Sequence, residues 1–459
     1  MLSGKKQNYT FYSFLAIFTL LASLAHLHLT FQVLLCLIVV ASPIIFDDTH
    51  TISTYFFSVC FMSCFGHGGF LTALNISLLV LEIKKICIAI KTKQDLQNIK
   101  KILIVWVIIL IVLTLYSLIY NHFKVYRMAM FLDFVQCCLV LYLVRKNINI
   151  KHILFTLFAG LVSSISIAFL FNITDTSNAF VAGHIDNRFG GFFNNVNGFS
   201  VYCSLCAASF IVLILNNKLS FNHHFYFPVI ASALGCLTYS KAFILVNVLL
   251  YVVWFVLSFA KSNNKKKFIL FSVLLVIALL VIGLLAKSYI ETIISRFISD
   301  KDPSNMDHFT TGRTKIWSDY IDRWLKSPLT FLFVNGYTAS KIPCGRYEHS
   351  IYIAFLYQFG VVGTIIVIST LIWTIRTNAK LQRNIACYIP LALFLFNGLV
   401  SNLSGVLCSC LLWFMVFYFV TLDSNQQTQI NLQPNEKQLT NDVEQHKIDE
   451  SNTNVNSNK

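Results

Sequence analysis

The residues best suited to chemistry are Arg188, Lys241, Arg313 and His349, which all stand at or just before predicted helices. Arginine and lysine bind phosphate oxygens, and a guanidinium does so through two parallel N–H donors. Histidine can exchange a proton near neutral pH. A helix N-terminus adds free backbone N–H groups that attract anions. These residue types therefore predict a site that binds a phosphate or diphosphate and stabilises negative charge during a reaction.

Arg188 belongs to a stretch rich in glycine and asparagine, which runs from Asp186 into a predicted helix at 196–215. Glycine lets a backbone approach a ligand closely. The amides of Asn194 and Asn197 lie where that helix should begin, so we expect them to bind the diphosphate or a sugar. The alternative is an ordinary turn whose arginine extends into the membrane interface.

Arg313 begins a predicted amphipathic helix at 313–326, which Thr310 or Thr311 should cap and Pro328 should end. Its apolar face is formed by Ile316, Trp317, Tyr320, Ile321, Trp324 and Leu325. Such a helix should lie in the headgroup layer with both tryptophans facing the acyl chains. Arg313 would then lie at phosphate depth, with Trp317 beside the substrate. The alternative is a structural interfacial helix whose arginine meets only phospholipid.

His349 and Ser350 stand at the start of a predicted span at 349–374, which Ser350 could cap. His349 could accept a proton from an acceptor hydroxyl or donate one to a phosphate, and the sequence leaves both open. A lone histidine is more often a packing residue. Lys241, in a short turn between two predicted spans, could likewise only extend to the interface.

Two acidic motifs look structural. Asp300-Lys301-Asp302 has the spacing of metal-dependent glycosyltransferases, but its loop is too short for the nucleotide-binding domain that such a motif serves, and the same residues suit a turn. Asp47-Asp48 follows an early apolar run. The sequence therefore predicts no metal site and no cofactor.

Composition sets the class of the protein. The 459 residues are 56% hydrophobic and 12% charged, with mean hydropathy +0.68, and apolar runs of about 20 residues recur throughout. This predicts an all-α polytopic membrane protein with about 12–14 transmembrane helices, one early segment being broken at Gly66-His67-Gly68-Gly69. The 13 cysteines lie mostly in apolar runs, so they predict small buried side chains and no disulfide framework.

The net charge of +15 indicates membrane orientation and not nucleic-acid binding, because basic clusters recur at every second connection between spans. Those clusters place both termini in the cytoplasm. We expect a membrane domain at 1–422 and a disordered cytoplasmic tail at 423–459. The intervals 173–195 and 288–348 then face outward, the second as one large periplasmic loop that contains the amphipathic helix.

The order of these motifs resembles the O-antigen polymerase and O-antigen ligase superfamily over about residues 180–370. The motifs are Arg188-Phe189-Gly190-Gly191-Phe192-Phe193-Asn194-Asn195-Val196-Asn197, Thr238-Tyr239-Ser240-Lys241, Gly312-Arg313-Thr314-Lys315-Ile316-Trp317, Gly336-Tyr337, His349-Ser350-Ile351-Tyr352 and Gly360-Val361-Val362-Gly363. The chain departs from the pattern at Lys241, where arginine is common, and at Ser350, where asparagine is common.

The resemblance implies a metal-independent GT-C-type glycosyltransferase of the bacterial inner membrane, with its active site facing the periplasm. Its donor would be an undecaprenyl-diphosphate-linked oligosaccharide, and membrane lipid and a chain-length regulator would be further partners. The implied catalytic residues are Arg188, Arg313 and His349, and the implied substrate-binding residues are Lys241, Asn194, Asn197, Trp317 and Ser350.

Three functions remain open from the sequence. The first is a polymerase of O-antigen or capsule repeat units, and the second is a ligase that transfers glycan to lipid A-core or another acceptor. The third is a polysaccharide flippase or transporter, which should place charges deep in several spans and repeat one half of its fold.

Overall fold

The computed structural model describes residues 4–66, 68–93, 96–121, 139–173, 189–193, 195–262, 265–266, 291, 312–332, 349–378, 381–400 and 409–422. Within these ranges every regular element is helical. The spans predicted at 125–144 and 268–287, the Asp300-Lys301-Asp302 motif and the tail at 423–459 lie mostly or wholly outside them.

The described residues of the first half include several long α-helices. They are α1 (Gly4–Leu24), α2 (Leu29–Ile45), α3 (Asp48–Ser58), α4 (Gly69–Thr92), α5 (Leu96–Asn121) and α6 (Ile150–Ile173), with 3-10 turns at Val59–Phe65 and Arg145–Asn147. The break predicted between α3 and α4 is confirmed, because Gly66 and Gly68 adopt positive φ angles of 74° and 75°.

The described residues of the second half include further α-helices. They are α7 (Val196–Leu215), α8 (Phe221–His224), α9 (Tyr226–Cys236), α10 (Lys241–Lys261), α11 (Arg313–Trp324), α12 (Pro328–Leu332), α13 (Ile351–Asn378), α14 (Ile389–Val400) and α15 (Ser409–Val420). A 3-10 turn at Ile385–Tyr388 precedes α14.

Four of the described helices are long and apolar enough to cross a membrane: Ile150–Phe171, Val196–Leu215, Lys241–Lys261 and Phe359–Thr377. Exposed leucine, isoleucine and valine side chains cover the outer faces of helices such as α10, as a lipid-facing surface requires. The fold is therefore that of an all-α polytopic membrane protein, as predicted.

Helix α7 forms the centre of the bundle. It contacts α6, α9, α10 and α14, and nearly all of its residues are buried. Only Asn197, in its first turn, is half-buried. The position of α7 therefore leaves one polar side chain accessible at its N-terminus.

One end of the bundle, here called the basic end, is defined by a chain of polar contacts. Lys85 pairs with Asp48, Asn147 Nδ2 donates to Asp48 Oδ2 at 3.3 Å, and Arg145 donates to the Thr421 carbonyl. Asn384 donates to Asn216, and Lys261 Nζ donates to the Leu215 carbonyl at 2.6 Å. The last two contacts join the C-terminal ends of α7 and α10 to the start of α14.

The opposite end, here called the loop end, carries the N-termini of α7, α10 and α13. Helices α7 and α10 run parallel, because their C-terminal ends meet at Lys261 and Leu215. Helix α14 runs antiparallel to α7, and its C-terminal half contacts the start of α13 where Tyr352 Oη donates to the Leu395 carbonyl at 2.9 Å. The three N-termini therefore point the same way.

Helix α13 is not the continuous span predicted at 349–374. It breaks at Gly360, whose φ of 64° and ψ of −178° lie in a region that only glycine adopts readily. The membrane-length part is Phe359–Thr377, and residues 351–358 form a short helix before it. The prediction was wrong because the apolar pattern continues through the break.

Asp47 and Asp48 have structural roles, as the sequence suggested. Asp47 caps α3 by accepting from the His50 backbone N–H at 2.9 Å, and its carboxylate also contacts His50 Nδ1 at 2.8 Å. Asp48 pairs with Lys85.

Candidate functional site

The loop before α7 is fixed on three sides. Phe192 donates its backbone N–H to Ser164 Oγ at 3.1 Å, and its carbonyl accepts from the Ser63 backbone N–H at 2.9 Å and from Ser63 Oγ at 2.7 Å. The Phe189 N–H donates to the Leu237 carbonyl at 3.0 Å. The loop is thus held by α6, by the 3-10 turn at Val59–Phe65 and by the end of α9.

The glycines of this loop allow close packing within the protein, which differs from the ligand contact predicted for them. A Cβ atom on Gly191, whose φ is 59°, would lie 2.8 Å from Ser164 Oγ. A Cβ atom on Gly190 would lie 3.2 Å from the Val196 Cα. The two glycines therefore let the loop lie directly against α6 and the start of α7.

Asn195 forms the N-cap of α7, with its side chain accepting from the Asn197 N–H at 2.8 Å. Asn197 is half-buried in the first turn. Arg188 and Asn194, which the sequence also assigned to this site, lie outside the described residues. The described part of the loop therefore contributes Asn197 and the helix N-terminus.

Lys241 is the first residue of α10 and is half-buried. Ser240 caps the helix by accepting from the Phe243 N–H, and Thr238 Oγ1 donates to the Gly235 carbonyl at 2.7 Å. Between them Tyr239 has a φ of 48°. The Phe189–Leu237 hydrogen bond brings this turn beside the loop of α7, so the structure places the helix starts of Asn197 and Lys241 at the same end.

Helix α11, which begins with Arg313, packs against α13. Ile316 and Tyr320 form a buried cluster with Tyr357, and Trp317, Trp324 and Ile353 pack against it. The Tyr320 and Tyr357 rings meet edge to face, with centroids 4.8 Å apart. Trp324 Nε1 donates to the Phe331 carbonyl at 3.2 Å.

Trp317 and Trp324 are half-buried against the cluster on α13, whereas Ile321 and Leu325 of the same apolar face are exposed. One expectation for α11 is corrected. The N-cap is Gly312, with a φ of 79°, and not Thr310 or Thr311. Helix α11 ends at Trp324, and Pro328 begins α12 after a short turn. The prediction that the amphipathic helix ends near Pro328 is therefore confirmed.

Arg313 itself is half-buried, and burial lowers the pKa of its guanidinium from the ordinary value. An arginine retains its charge at all physiological pH values even so. Removing water from a cation strengthens its interaction with an anion that reaches it. Arg313 is therefore a partly desolvated cation, which would bind an anion more strongly than a fully hydrated arginine would.

His349 and Ser350 precede α13. His349 is exposed and has a φ of 47°, whereas Ser350 is 3% exposed and its carbonyl accepts from the Ala354 N–H at 3.0 Å. Left-handed backbone at a residue other than glycine is uncommon and is often found at functional positions. Tyr239 and His349 adopt it at the loop end, directly before α10 and α13.

The helices that carry the predicted site residues form two contacting pairs, α7 with α10 and α11 with α13. The Phe189–Leu237 bond joins the start of α7 to that of α10, and the Tyr320–Tyr357 cluster joins the Arg313 helix to the His349 helix. Helix α14 contacts α7, α10 and α13, so it connects the two pairs. The described contacts therefore place Asn197, Lys241 and His349 at the loop end, with the Arg313 helix packed on α13.

Sequence reasoning missed the residues that hold the loop of α7. Ser164 is fully buried and donates from Oγ to the Cys60 carbonyl at 2.6 Å while accepting from Phe192. A serine within an apolar helix could have indicated a contact to another segment, but most such serines hydrogen-bond only to their own helix.

Residues 227–368 match the family model described as O-antigen ligase. No curated protein matches the chain. The matched segment includes Lys241, Arg313, Trp317, His349 and Ser350 and begins after Asn197. The family implies glycosyltransferase-like activity on lipid-linked oligosaccharides in a membrane and does not separate polymerases from ligases. Residues 227–368, about a third of the chain, are therefore similar to the O-antigen ligase family, which supports the resemblance to the O-antigen polymerase and O-antigen ligase superfamily.

Proposed function

We propose that this protein polymerises repeat units of a surface polysaccharide, O-antigen or capsule, from a polyprenyl-diphosphate-linked donor. The observation that carries the proposal is that the helix starts of Asn197, Lys241 and His349 lie at the same end of the bundle. The Arg313 helix packs against the helix that follows His349. The donor class that we infer is undecaprenyl diphosphate carrying an oligosaccharide.

In the proposed reaction, an acceptor hydroxyl oxygen bonds to the anomeric carbon of the donor while the bond from that carbon to the diphosphate oxygen breaks. The electron pair of the broken bond remains on the diphosphate, where negative charge therefore grows. Arg313 and Lys241, with Arg188, stabilise that charge where it develops, which is the most effective place for a fixed cation. Asn197 and Asn194 position the diphosphate or sugar.

His349 has two roles consistent with its exposed position. As a base it takes the proton of the attacking hydroxyl, and as a donor it orients a phosphate oxygen. Ser350 fixes the backbone beside it, and Trp317 supports the helix that presents Arg313. We propose this chemistry as metal-independent and of the GT-C type.

The membrane setting follows from the same proposal. The basic end faces the cytoplasm by the positive-inside rule, so the loop end faces the periplasm of a bacterial inner membrane. Both termini then lie in the cytoplasm. A chain-length regulator would be a protein partner of the polymerase.

Ligase activity is the second candidate, because the O-antigen ligase family model covers the Lys241, Arg313 and His349 segments. Polymerase and ligase share the donor and the bond that breaks, and they differ in the acceptor. A polymerase lengthens a lipid-linked chain, whereas a ligase moves a finished chain to lipid A-core.

The test uses the purified full-length protein in proteoliposomes with an oligosaccharide linked to undecaprenyl diphosphate. Growth of lipid-linked glycan in steps of one repeat supports the polymerase. Glycan that appears only on added lipid A-core supports the ligase. Movement of intact donor across the bilayer with no new glycosidic bond would reject both and favour a transporter.

A further inference from the structure

A buried carboxyl group lies in α4, away from the loop end. Glu82 is 6% exposed, and its Oε1 atom has no hydrogen-bond partner among the described residues. It precedes Lys85 of the basic end by about 4.5 Å along the helix axis. An ionisable group buried in a membrane domain is costly to keep, so Glu82 is a candidate for a role that glycan transfer does not use.

The two lysines that follow Glu82 in the same helix are engaged by other groups. Lys84 Nζ donates to two backbone carbonyls at the end of α2, at 2.5 Å and 3.2 Å. Lys85 pairs with the carboxylate of Asp48 at the start of α3. Both ammonium groups therefore point toward the α2–α3 connection, and neither neutralises Glu82.

The buried hydroxyls nearby do not donate to Glu82 either. Glu82 lies close enough to Tyr55 of α3 for its charge to act on the phenol, and Tyr55 Oη is 2.8 Å from Ser77 Oγ. Ser77 Oγ donates to the Val39 carbonyl at 2.7 Å, so in the Tyr55–Ser77 bond Tyr55 must be the donor. Ser42 Oγ donates to the same carbonyl at 2.8 Å. The protons of this network are thus directed away from Glu82.

The other elements around α4 supply no cation. Helix α4 packs against α2 and the 3-10 turn at Val59–Phe65, neither of which contains a charged residue. The titratable side chains of α2, of this turn and of the end of α15 near Tyr55 are thiols: Cys36, Cys60, Cys64 and Cys410. In α3, His50 pairs with Asp47. Within the described part of the chain, Glu82 therefore has neither a cation nor a hydrogen-bond donor.

We propose that Glu82 binds a proton in the folded protein, so that it is a neutral carboxylic acid within the membrane domain and a modification site for a hydrophobic carbodiimide. An ionised carboxylate that is buried without a donor or a cation costs far more free energy than the neutral acid does. The neutral acid also supplies an O–H donor, and the Tyr55 oxygen retains lone pairs that accept hydrogen bonds. The site is independent of the glycan-transfer proposal.

The experiment treats the full-length protein in nanodiscs with N,N′-dicyclohexylcarbodiimide, which dissolves in the membrane and reacts with protonated carboxyl groups. The carboxyl oxygen bonds to the central carbon of the carbodiimide, one C=N bond becomes a single bond, and the carboxyl proton passes to that nitrogen. The adduct then rearranges to an N-acylurea, so no atom is lost and no oxidant is needed. Mass spectrometry of the digested protein locates the modified residue.

We expect the adduct on Glu82 and not on Asp48, which is the matched control because it is also 6% exposed but pairs with Lys85. Labelling of Glu82 should fall about tenfold per pH unit once the pH exceeds the midpoint of its titration, since only the protonated form reacts. A water-soluble carbodiimide with glycine methyl ester should reverse the order, modifying the exposed Glu291 and sparing Glu82.

Glu82→Gln should lose the label completely, which assigns the adduct to this carboxyl group. Because the adduct is located in the unsubstituted protein, the labelling result stands whether or not that variant folds. The proposal is overturned if Glu82 stays unlabelled at about pH 6, if Asp48 is labelled to the same extent, or if the labelling of Glu82 does not decrease as the pH rises.

Discussion

The backbone N–H of Phe189 donates to the carbonyl oxygen of Leu237 at 3.0 Å, across a sequence separation of nearly fifty residues. This bond joins the loop before α7 to the turn before α10. The turn ends at Lys241, and the loop leads to Asn197. Two helix N-termini that could each receive an anion are therefore held at the same end of the bundle.

Arg313 should be essential for glycan transfer. Arg313→Ala removes a desolvated cation from the position where the leaving diphosphate would gain charge, so we expect a loss of about 100-fold in rate. Arg313→Lys should also be impaired, because an ammonium lacks the two parallel donors. Radiolabelled donor consumption by reconstituted protein measures both.

The matched control for Arg313 is Arg323→Ala in the last turn of the same helix. It removes the same kind of side chain and should leave the rate within a few-fold of the unsubstituted protein. Equal rates for Arg313→Ala and the unsubstituted protein, with both inserted at the same level, would remove Arg313 from the mechanism.

A substitution at His349 can separate the role of its left-handed backbone from the role of its imidazole ring. His349→Asn should fold normally, since asparagine tolerates the left-handed conformation that His349 adopts at φ 47°. It should nevertheless lose activity, because no group remains to exchange a proton. Thermal unfolding reports the first effect and glycan yield the second. An active His349→Asn protein would reject His349 as the base, because asparagine can still donate a hydrogen bond but cannot accept the proton.

Gly360 should be required for the break in α13. Gly360→Ala places a side chain where φ is 64° and ψ is −178°, which should cost about 1–3 kcal/mol of stability. Gly363→Ala is the control, because Gly363 is not among the glycines with positive φ. Alanine there should be neutral or should stabilise the helix by about 0.5–1 kcal/mol. Chemical denaturation in detergent compares the two, and similar effects would argue against a break at Gly360.

Ser164 should stabilise the fold through its hydrogen bonds. Ser164→Ala leaves the Phe192 N–H without its acceptor in a buried position, at a cost of about 1–3 kcal/mol. Ser209 is fully buried, and its hydroxyl has no hydrogen-bond partner among the described residues, so Ser209→Ala should be neutral or stabilising. Measured melting temperatures that fall equally in both variants would contradict this role for Ser164.

Asp47 should make stability depend on pH. Partial burial tends to raise the pKa of Asp47, but hydrogen bonds from the His50 ring and backbone, with the charges of His50 and His152, outweigh it and lower the pKa. The charged carboxylate is then favoured in the folded state. Its contribution is complete above the ordinary aspartate pKa of about 4 and is lost as pH falls through the lower folded value.

Unfolding of Asp47→Asn, compared with the unsubstituted protein between about pH 6 and pH 3, measures this contribution. The difference in stability should be constant at the upper end and should shrink toward the lower end. A difference that does not vary over this range would show that the carboxylate charge is not stabilised by folding.

Much of the helix layout was predictable, because it depends on local hydropathy. The bounds expected at 196–215 agree with α7, and the amphipathic segment starting at Arg313 agrees with α11. The early break at Gly66–Gly69 was also predicted, since glycine interrupts a helix through its own backbone preference. The resemblance to the O-antigen polymerase and ligase superfamily likewise came from short motifs in order.

The amino-acid sequence thus determined the class of protein, the helices and the residue types available for chemistry. Only the tertiary structure decided that α11 buries Tyr320 against Tyr357 on α13, and that Ser164 holds the loop of Phe192. It also decided that Glu82 lies buried near Tyr55 of α3. Hydropathy and helix periodicity are properties of residues close together in the chain, so they predict single helices. These contacts join residues far apart in sequence and depend on how all the helices pack together.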